Sequence, residues 1–139
     1  MKPIDFYSNK LWGRNNPQVL LDREKKVIEL MKSLIKEDNE ISFLDVGCGN
    51  GKFIFYLHKK HPNLKIWGID YSKDEIKKAS RNPFNFKRVN LEEGIPFSNE
   101  SFDIIYAGEI IEHLYNPDFF LSEINRVLKK NGFLIISTP

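Results

Sequence analysis

Only one cysteine, Cys48, occurs among the 139 residues, so no disulfide can form within the chain. That composition fits a reducing compartment, and a cytoplasmic protein is expected. No apolar run nears the ~18 residues of a membrane span. The start, Met1-Lys2-Pro3-Ile4-Asp5, lacks the apolar stretch of a signal peptide. Charge of one sign is lacking too. Twenty-one basic residues against 19 acidic ones leave +2, with no basic block, so a nucleic-acid partner is not indicated. Internal repeats and low-complexity stretches are absent.

What is present suits a soluble globular domain. Hydrophobic residues make up 41% and charged residues 29%, and eleven Phe, five Tyr and two Trp can furnish a core. The length fits one domain spanning 1–139. Asn16-Pro17 predicts a helix start, with Asn as cap and Pro at the first helical position. Leu20, Val27, Met31, Leu34 and Ile35 then recur at helical spacing as far as about Lys36. Ile41 to Val46 is a short apolar run that stops at glycines, which predicts a buried strand. Lys52 to Lys60 reads as a helix, Lys65 to Asp70 as a second strand, and Ser72 to about Ser80 as a helix opened by a Ser/Glu capping box. Strands are predicted at Asn85–Val89, Phe102–Tyr106 and Phe133–Ser137. Between the last two, a helix starts at Asn116-Pro117, and Asn131-Gly132 is assigned as its C-terminal cap. The alternation implies an α/β domain with a doubly wound parallel sheet. Ligands of such sheets sit outside the carboxyl ends of the strands.

The motifs all fall at those ends. In Asp45-Val46-Gly47-Cys48-Gly49-Asn50-Gly51 the glycines permit a sharp turn and close approach of a ligand to the main chain. The loop feeds a helix N-terminus, which favours a carboxylate or phosphate. A dinucleotide fingerprint would need glycine at position 52, where Lys52 stands, so a nicotinamide-dependent oxidoreductase is disfavoured. Asp70 follows Gly51 by 19 residues and ends the second strand. A carboxylate there can accept hydrogen bonds from both hydroxyls of a ribose.

From Ile41 to Pro139 the chain resembles the class I, Rossmann-like S-adenosylmethionine-dependent methyltransferases, in particular the ubiquinone/menaquinone-biosynthesis type that acts on small molecules. The resemblance rests on several stretches together. These are the glycine loop, Asp70, Asn90-Leu91-Glu92-Glu93-Gly94-Ile95-Pro96-Phe97, Ser101-Phe102-Asp103, Glu109-Ile110-Ile111-Glu112-His113-Leu114, and Glu123 to Lys129 followed by Gly132. It implies a sheet of order 3-2-1-4-5 and S-adenosylmethionine as cofactor, with S-adenosylhomocysteine as product. Asp45 and the loop at Gly47, Cys48, Gly49 and Gly51 would hold the methionine end. Asp70 would hold the ribose, Tyr71 would pack near the adenine, Asn90 and the Leu91 N–H would meet the adenine amine, and the main chain at Ala107 would face the methionine. Residues 41–139 would be the cofactor-binding core. Residues 1–40 would be an N-terminal segment and helix, with Tyr7 and Trp12 either in a lid or packed on the core.

The chain departs from the family in two ways. Asn90 stands where the family usually has Asp, although an amide oxygen can still accept from an amine. The family sheet has seven strands, and this sequence ends after the fifth. The fifth strand is apolar on both faces and would become an edge, from which self-association is expected. The acceptor side offers Glu109, Glu112 and His113. Histidine suits a general base near neutral pH. The resemblance leaves open a metal-binding Glu/His cluster, as in RNA 2′-O-methyltransferases, but no metal is expected. Tyr106-Ala107-Gly108-Glu109 replaces the Pro-Pro tetrad of base-amine methyltransferases, and Cys48 is misplaced for cytosine C5 chemistry. The expected acceptor is a small molecule, a lipid-linked compound or a sugar. A cofactor-binding module without transfer activity is the alternative. His58 and His61 are read as a solvated helix end, and Cys48 as a small buried spacer.

Overall fold

The structure, a computed structural model, describes residues 20–36 and 39–139. The predicted helix start at Asn16-Pro17 and the aromatics Tyr7 and Trp12 lie outside the described residues. Helix α1 spans Asp22–Leu34, ending just short of the predicted Lys36. Strand β1 is Ile41–Val46 and helix α2 is Lys52–Lys60, both as the apolar pattern predicts. Then come β2 Leu64–Asp70, α3 Lys73–Ala79, β3 Asn85–Arg88, β4 Phe102–Gly108, α4 Pro117–Val127 and β5 Leu128–Ser137.

The five strands form one sheet of order β3-β2-β1-β4-β5, and every pair is parallel. Strand β1 is central because it is apolar almost throughout, and a strand covered on both faces needs that. Successive strand residues point to opposite faces, so neighbours in sequence serve different cores. Phe43, Ile104 and Tyr106 join Val27, Ile28 and Met31 of α1 and Phe53, Ile54 and Leu57 of α2. Leu44, Ile105 and Ala107 join Phe120, Ile124 and Val127 of α4 on the other face. Each fully buried Phe, Leu or Ile contributes about 1.5–3 kcal/mol, and Phe43, Leu44, Ile54, Leu57 and Ile105 are among the fully buried. The helix starts use local capping. Ser72 Oγ accepts from Glu75 N at 3.2 Å, although Glu75 itself pairs with Lys78 at 2.9 Å and does not close the box. Asn116 Oδ1 accepts from Phe119 N at 3.0 Å, with Pro117 at the first position.

Two expectations need correction. Asn131-Gly132 does not cap α4, which stops at Val127. The terminal carbonyls of Arg126 and Val127 instead accept from Glu100 N and Ser101 N at 2.9 and 2.8 Å. Residues before β4 therefore satisfy the helix end, and no capping glycine is needed. The chain passes straight into β5, where Leu128 opposes Phe102 and Phe133 opposes Ile104. The residues between form a bulge in which Asn131 takes φ 62°. The turn chemistry is real but bends a strand. Nor are His58 and His61 fully solvated, although Lys59 and Lys60 between them are exposed. His58 packs on Phe84 with ring centroids 4.9 Å apart. His61 Nε2 is shut off from solvent without a hydrogen-bond partner among the described residues, and burial pushes its pKa down.

Strand β5 is a sheet edge, with Phe133 49% and Ile136 40% exposed. Among the described residues no helix is long and apolar enough to cross a membrane. A cavity of about 370 Å³ opens at the amino ends of β1 and β4, between Glu40, Asp103 and Phe133. It lies at the opposite end of the sheet from the predicted motifs.

Candidate functional site

The parallel register brings the carboxyl ends of β1, β2 and β4 together, since Val46 lies beside both Ile69 and Ala107. The chain leaves β1 through Gly47, Gly49 and Gly51, with φ of 79°, 52° and 81°. Only glycine adopts this left-handed backbone without strain. At Gly47 space is decisive as well, because an added Cβ would run into the side chain of Ile110. Gly47 N and Cys48 N both donate to Ile69 O, at 2.8 and 3.0 Å, which binds the loop to β2. Gly51 caps α2, so the first turn of that helix begins at the loop, where Asn50 Oδ1 accepts from Lys52 N at 3.1 Å.

Asp70 completes this arrangement. Its Oδ2 accepts from Gly49 N at 2.9 Å and its Oδ1 from Ser72 N at 2.8 Å. One carboxylate thus ties the two predicted cofactor motifs together and orients the turn into α3. Burial pushes its pKa up, and those backbone N–H groups partly oppose the shift. Asp45 is 3% exposed. Burial raises its pKa well above the usual carboxylate range, and the charges of Glu24 and Asp70 push the same way. Cys48 is buried, and burial raises its thiol pKa. It is a spacer under Gly68 rather than a nucleophile.

Tyr71 follows Asp70, and Arg88 lies over its ring at 5.4 Å while Arg88 Nε donates to Tyr71 O at 3.0 Å. Asn90 and Leu91 follow β3. Asn90 Oδ1 caps the 3₁₀ turn Leu91–Glu93 by accepting from Glu92 N at 3.1 Å. Ala107 is fully buried in β4, beside Val46. Asp45, Gly47, Cys48, Gly49, Gly51, Asp70, Tyr71 and Ala107 therefore share one edge, with Asn90 and Leu91 leaving the adjoining end of β3.

Of the candidates Glu109, Glu112 and His113, Glu109 stands apart from the turn that carries the other two. It has φ 57°, a strained conformation for a residue other than glycine, and its N–H donates to Ser137 O at 2.9 Å. The turn itself is Ile111–His113. His113 Nε2 stands 3.9 Å from Glu112 Oε1. Among the described residues no group of three His, Cys, Asp or Glu side chains could hold a metal ion.

Sequence reasoning missed several contributors. Glu24 lies beneath the site at 9% exposure. Its position three, four and seven residues before Val27, Ile28 and Met31 puts a carboxylate on the apolar face of α1, and that signal was readable. Arg88 over Tyr71 had no local signal. Arg126 and Glu123 carried only a family likeness, yet they staple residues 95–99 to α4. Arg126 donates to Ile95 O and Phe97 O at 2.7 Å each, and Glu123 Oε1 accepts from Ile95 N at 2.9 Å.

A five-stranded parallel sheet with a glycine loop after its central strand and a carboxylate ending the next defines the Rossmann-like class of methyltransferase folds. Residues 37–139 match the methyltransferase-domain family, and the chain belongs to it. It is 32% identical over 115 residues to the ubiquinone biosynthesis O-methyltransferase of Pelagibacter ubique, covering 78% of this chain and 46% of that protein. The plantazolicin methyltransferase BpumL, solved with a pentazolic desmethylPZN analog and SAH, superposes with a TM-score of 0.70. Its identity is 25%, over 82% of this chain and 46% of BpumL. The [4+2]-cyclase SpnF shares the fold at TM-score 0.72 and 23% identity, over 90% of this chain and 48% of SpnF. The chain thus spans just under half the length of each of these proteins.

Proposed function

We propose that this chain is the cofactor-binding part of an S-adenosylmethionine-dependent methyltransferase whose acceptor is a small molecule, a lipid-linked compound or a sugar. The observation that carries the reading is the 2.9 Å bond from Gly49 N to Asp70 Oδ2, which joins the glycine loop and the strand-end acid into one cradle. The ubiquinone and plantazolicin methyltransferases among its relatives support it. We read 1–139 as one domain, with 41–139 as the core and 1–40 as a covering segment and helix, in a cytoplasmic protein.

In this reading Asp45 and the backbone of Gly47, Cys48, Gly49 and Gly51 hold the methionine end. Asp70 accepts from the ribose through the lone pairs its backbone bonds leave free. Tyr71, steadied by Arg88, flanks the adenine, and Asn90 and Leu91 N–H meet its edge. Ala107 presents main chain to the methionine. When bound, S-adenosylmethionine supplies an electrophilic methyl group, so the protein's task is alignment and exclusion of water. Glu109 and His113 face the acceptor side, His113 as the candidate for taking up its proton. Strand β5, an edge of the sheet among the described residues, is read as the contact through which a second copy of the chain pairs.

A thermal-shift titration with S-adenosylmethionine, S-adenosylhomocysteine and NAD tests the site. Stabilisation by the first two alone is expected, and stabilisation by NAD alone would overturn the reading. Sedimentation at several concentrations tests the edge contact, which a monomer at about 100 µM would contradict at that strength.

A further inference from the structure

The segment from Asn90 to Asn99 is held at its two ends by different means. Its far end is clamped to α4 by charge. Arg126 reaches Ile95 O, Phe97 O and, at 3.1 Å, Asn99 Oδ1, and is itself paired with Glu123 at 2.6 Å. Its near end is the turn Leu91–Glu93, whose first N–H bond goes to Asn90. Glu92 does not spend its side chain on that turn. Its Oε1 accepts from Tyr115 N at 2.7 Å, a bond across 23 residues.

Tyr115 lies between the turn Ile111–His113 and Asn116, the cap of α4. The residue is 57% exposed, so burial does not hold the backbone at this position. Leu91, Ile111 and Leu114 pack against the same core face, which brings the two turns side by side. One carboxylate therefore joins the stretch that carries Asn90 and Leu91 to the loop that carries Glu109, Glu112 and His113.

We infer that Glu92 is a positioning residue. It holds the acceptor-side loop, residues 109–116, in register with the cofactor-side turn, so that filling the Asn90–Leu91 end also steadies the acceptor loop. The inference rests on the proposed placement of the adenine. Glu92 touches no reacting group and acts through the Tyr115 backbone alone.

Amide hydrogen exchange on the whole chain, with and without S-adenosylhomocysteine, tests it in the wild type, Glu92→Ala, Glu92→Gln and Tyr115→Ala. In the wild type the ligand slows exchange at 47–51, at 90–93 and, about fivefold, at 110–116, the factor that one net hydrogen bond of ordinary strength sets. In Glu92→Ala without ligand, the Tyr115 amide exchanges about fivefold faster. With ligand, 47–51 is still protected while 110–116 keeps its ligand-free rate. Glu92→Gln retains an acceptor oxygen at the same reach and restores the protection. Tyr115→Ala keeps it, because the bond uses the main-chain N–H. Full transmission of protection to 110–116 in Glu92→Ala overturns the inference and leaves the cofactor reading standing. A ligand that protects no segment in any variant overturns the cofactor reading, and the inference with it.

Discussion

The Gly47–Gly51 loop and the Glu109–Tyr115 segment leave neighbouring strands, β1 and β4, at the same edge of the sheet. The first is locked by backbone. Two of its N–H groups bind Ile69 O, a third binds Asp70, and the helix it feeds starts on Gly51. The second is tied to a neighbouring strand by a single main-chain bond, Glu109 N to Ser137 O, its other main-chain bonds being internal to its turn. Glu109 sits in a strained left-handed conformation, His113 is partly exposed beside Glu112, and Tyr115 is fastened by one bond to Glu92. A loop built from glycine conformations and main-chain bonds suits a ligand part common to many proteins. A loop whose exposed side chains carry its character suits a partner that differs from one protein to another.

The largest effect should come where the two regions touch. Gly47→Val places a branched side chain at φ 79° against Ile110, and a loss of about 3 kcal/mol or more is expected in denaturant unfolding. An unmoved midpoint would mean that the loop and the Glu109–Tyr115 segment are not packed together. Asp70→Ala removes two bonds to backbone N–H groups. About 2–3 kcal/mol of stability should go, together with at least tenfold in S-adenosylhomocysteine affinity by calorimetry, about 1.4 kcal/mol. Unchanged binding would remove the cofactor side from its assigned place.

The third test uses pH. Asp45 and Asp70 have pKa values raised by burial, so the folded chain keeps protons that the unfolded chain releases above about pH 4. Their favourable contribution is complete below that pH and is lost as pH rises through the folded values. Asp45→Asn, which keeps the shape without the charge, should therefore stabilise the ligand-free chain more at pH 8 than at pH 5. A difference between variant and wild type that is constant with pH would contradict it. The smallest effect is expected from Asn90→Asp. Either residue can cap the turn at Leu91, so the fold should stand and S-adenosylhomocysteine should bind as tightly or more tightly. A tenfold weakening would show that Asn90 does not face the adenine.

Much of this was legible because its causes are local. The bounds of β1 and α2 follow from an apolar run, a glycine stop and a helical period within a few residues. The caps at Ser72 and Asn116 lie three residues from the N–H groups they accept. Parallel alternation then obliged Gly47 to Gly51, Asp70 and the start of Glu109 to Leu114 to share one edge of the sheet. The buried Glu24 was half legible. Its place on the apolar face of α1 marked it as unusual, but nothing nearby said that its charge would act on Asp45.

The sequence by itself determined the order and type of the elements and the presence of a glycine-and-acid cradle, because period, capping and left-handed glycine are properties of adjacent residues. Tertiary structure alone decided where α4 ends, since the carbonyls of Arg126 and Val127 are satisfied by Glu100 and Ser101, just before β4. It alone put Asn131 into a strand bulge, forced Glu109 to φ 57° and brought Glu92 to the backbone of Tyr115. Each of these depends on which segments the packed sheet brings within about 3 Å, the reach of a hydrogen bond, and no stretch of neighbouring residues carries that information.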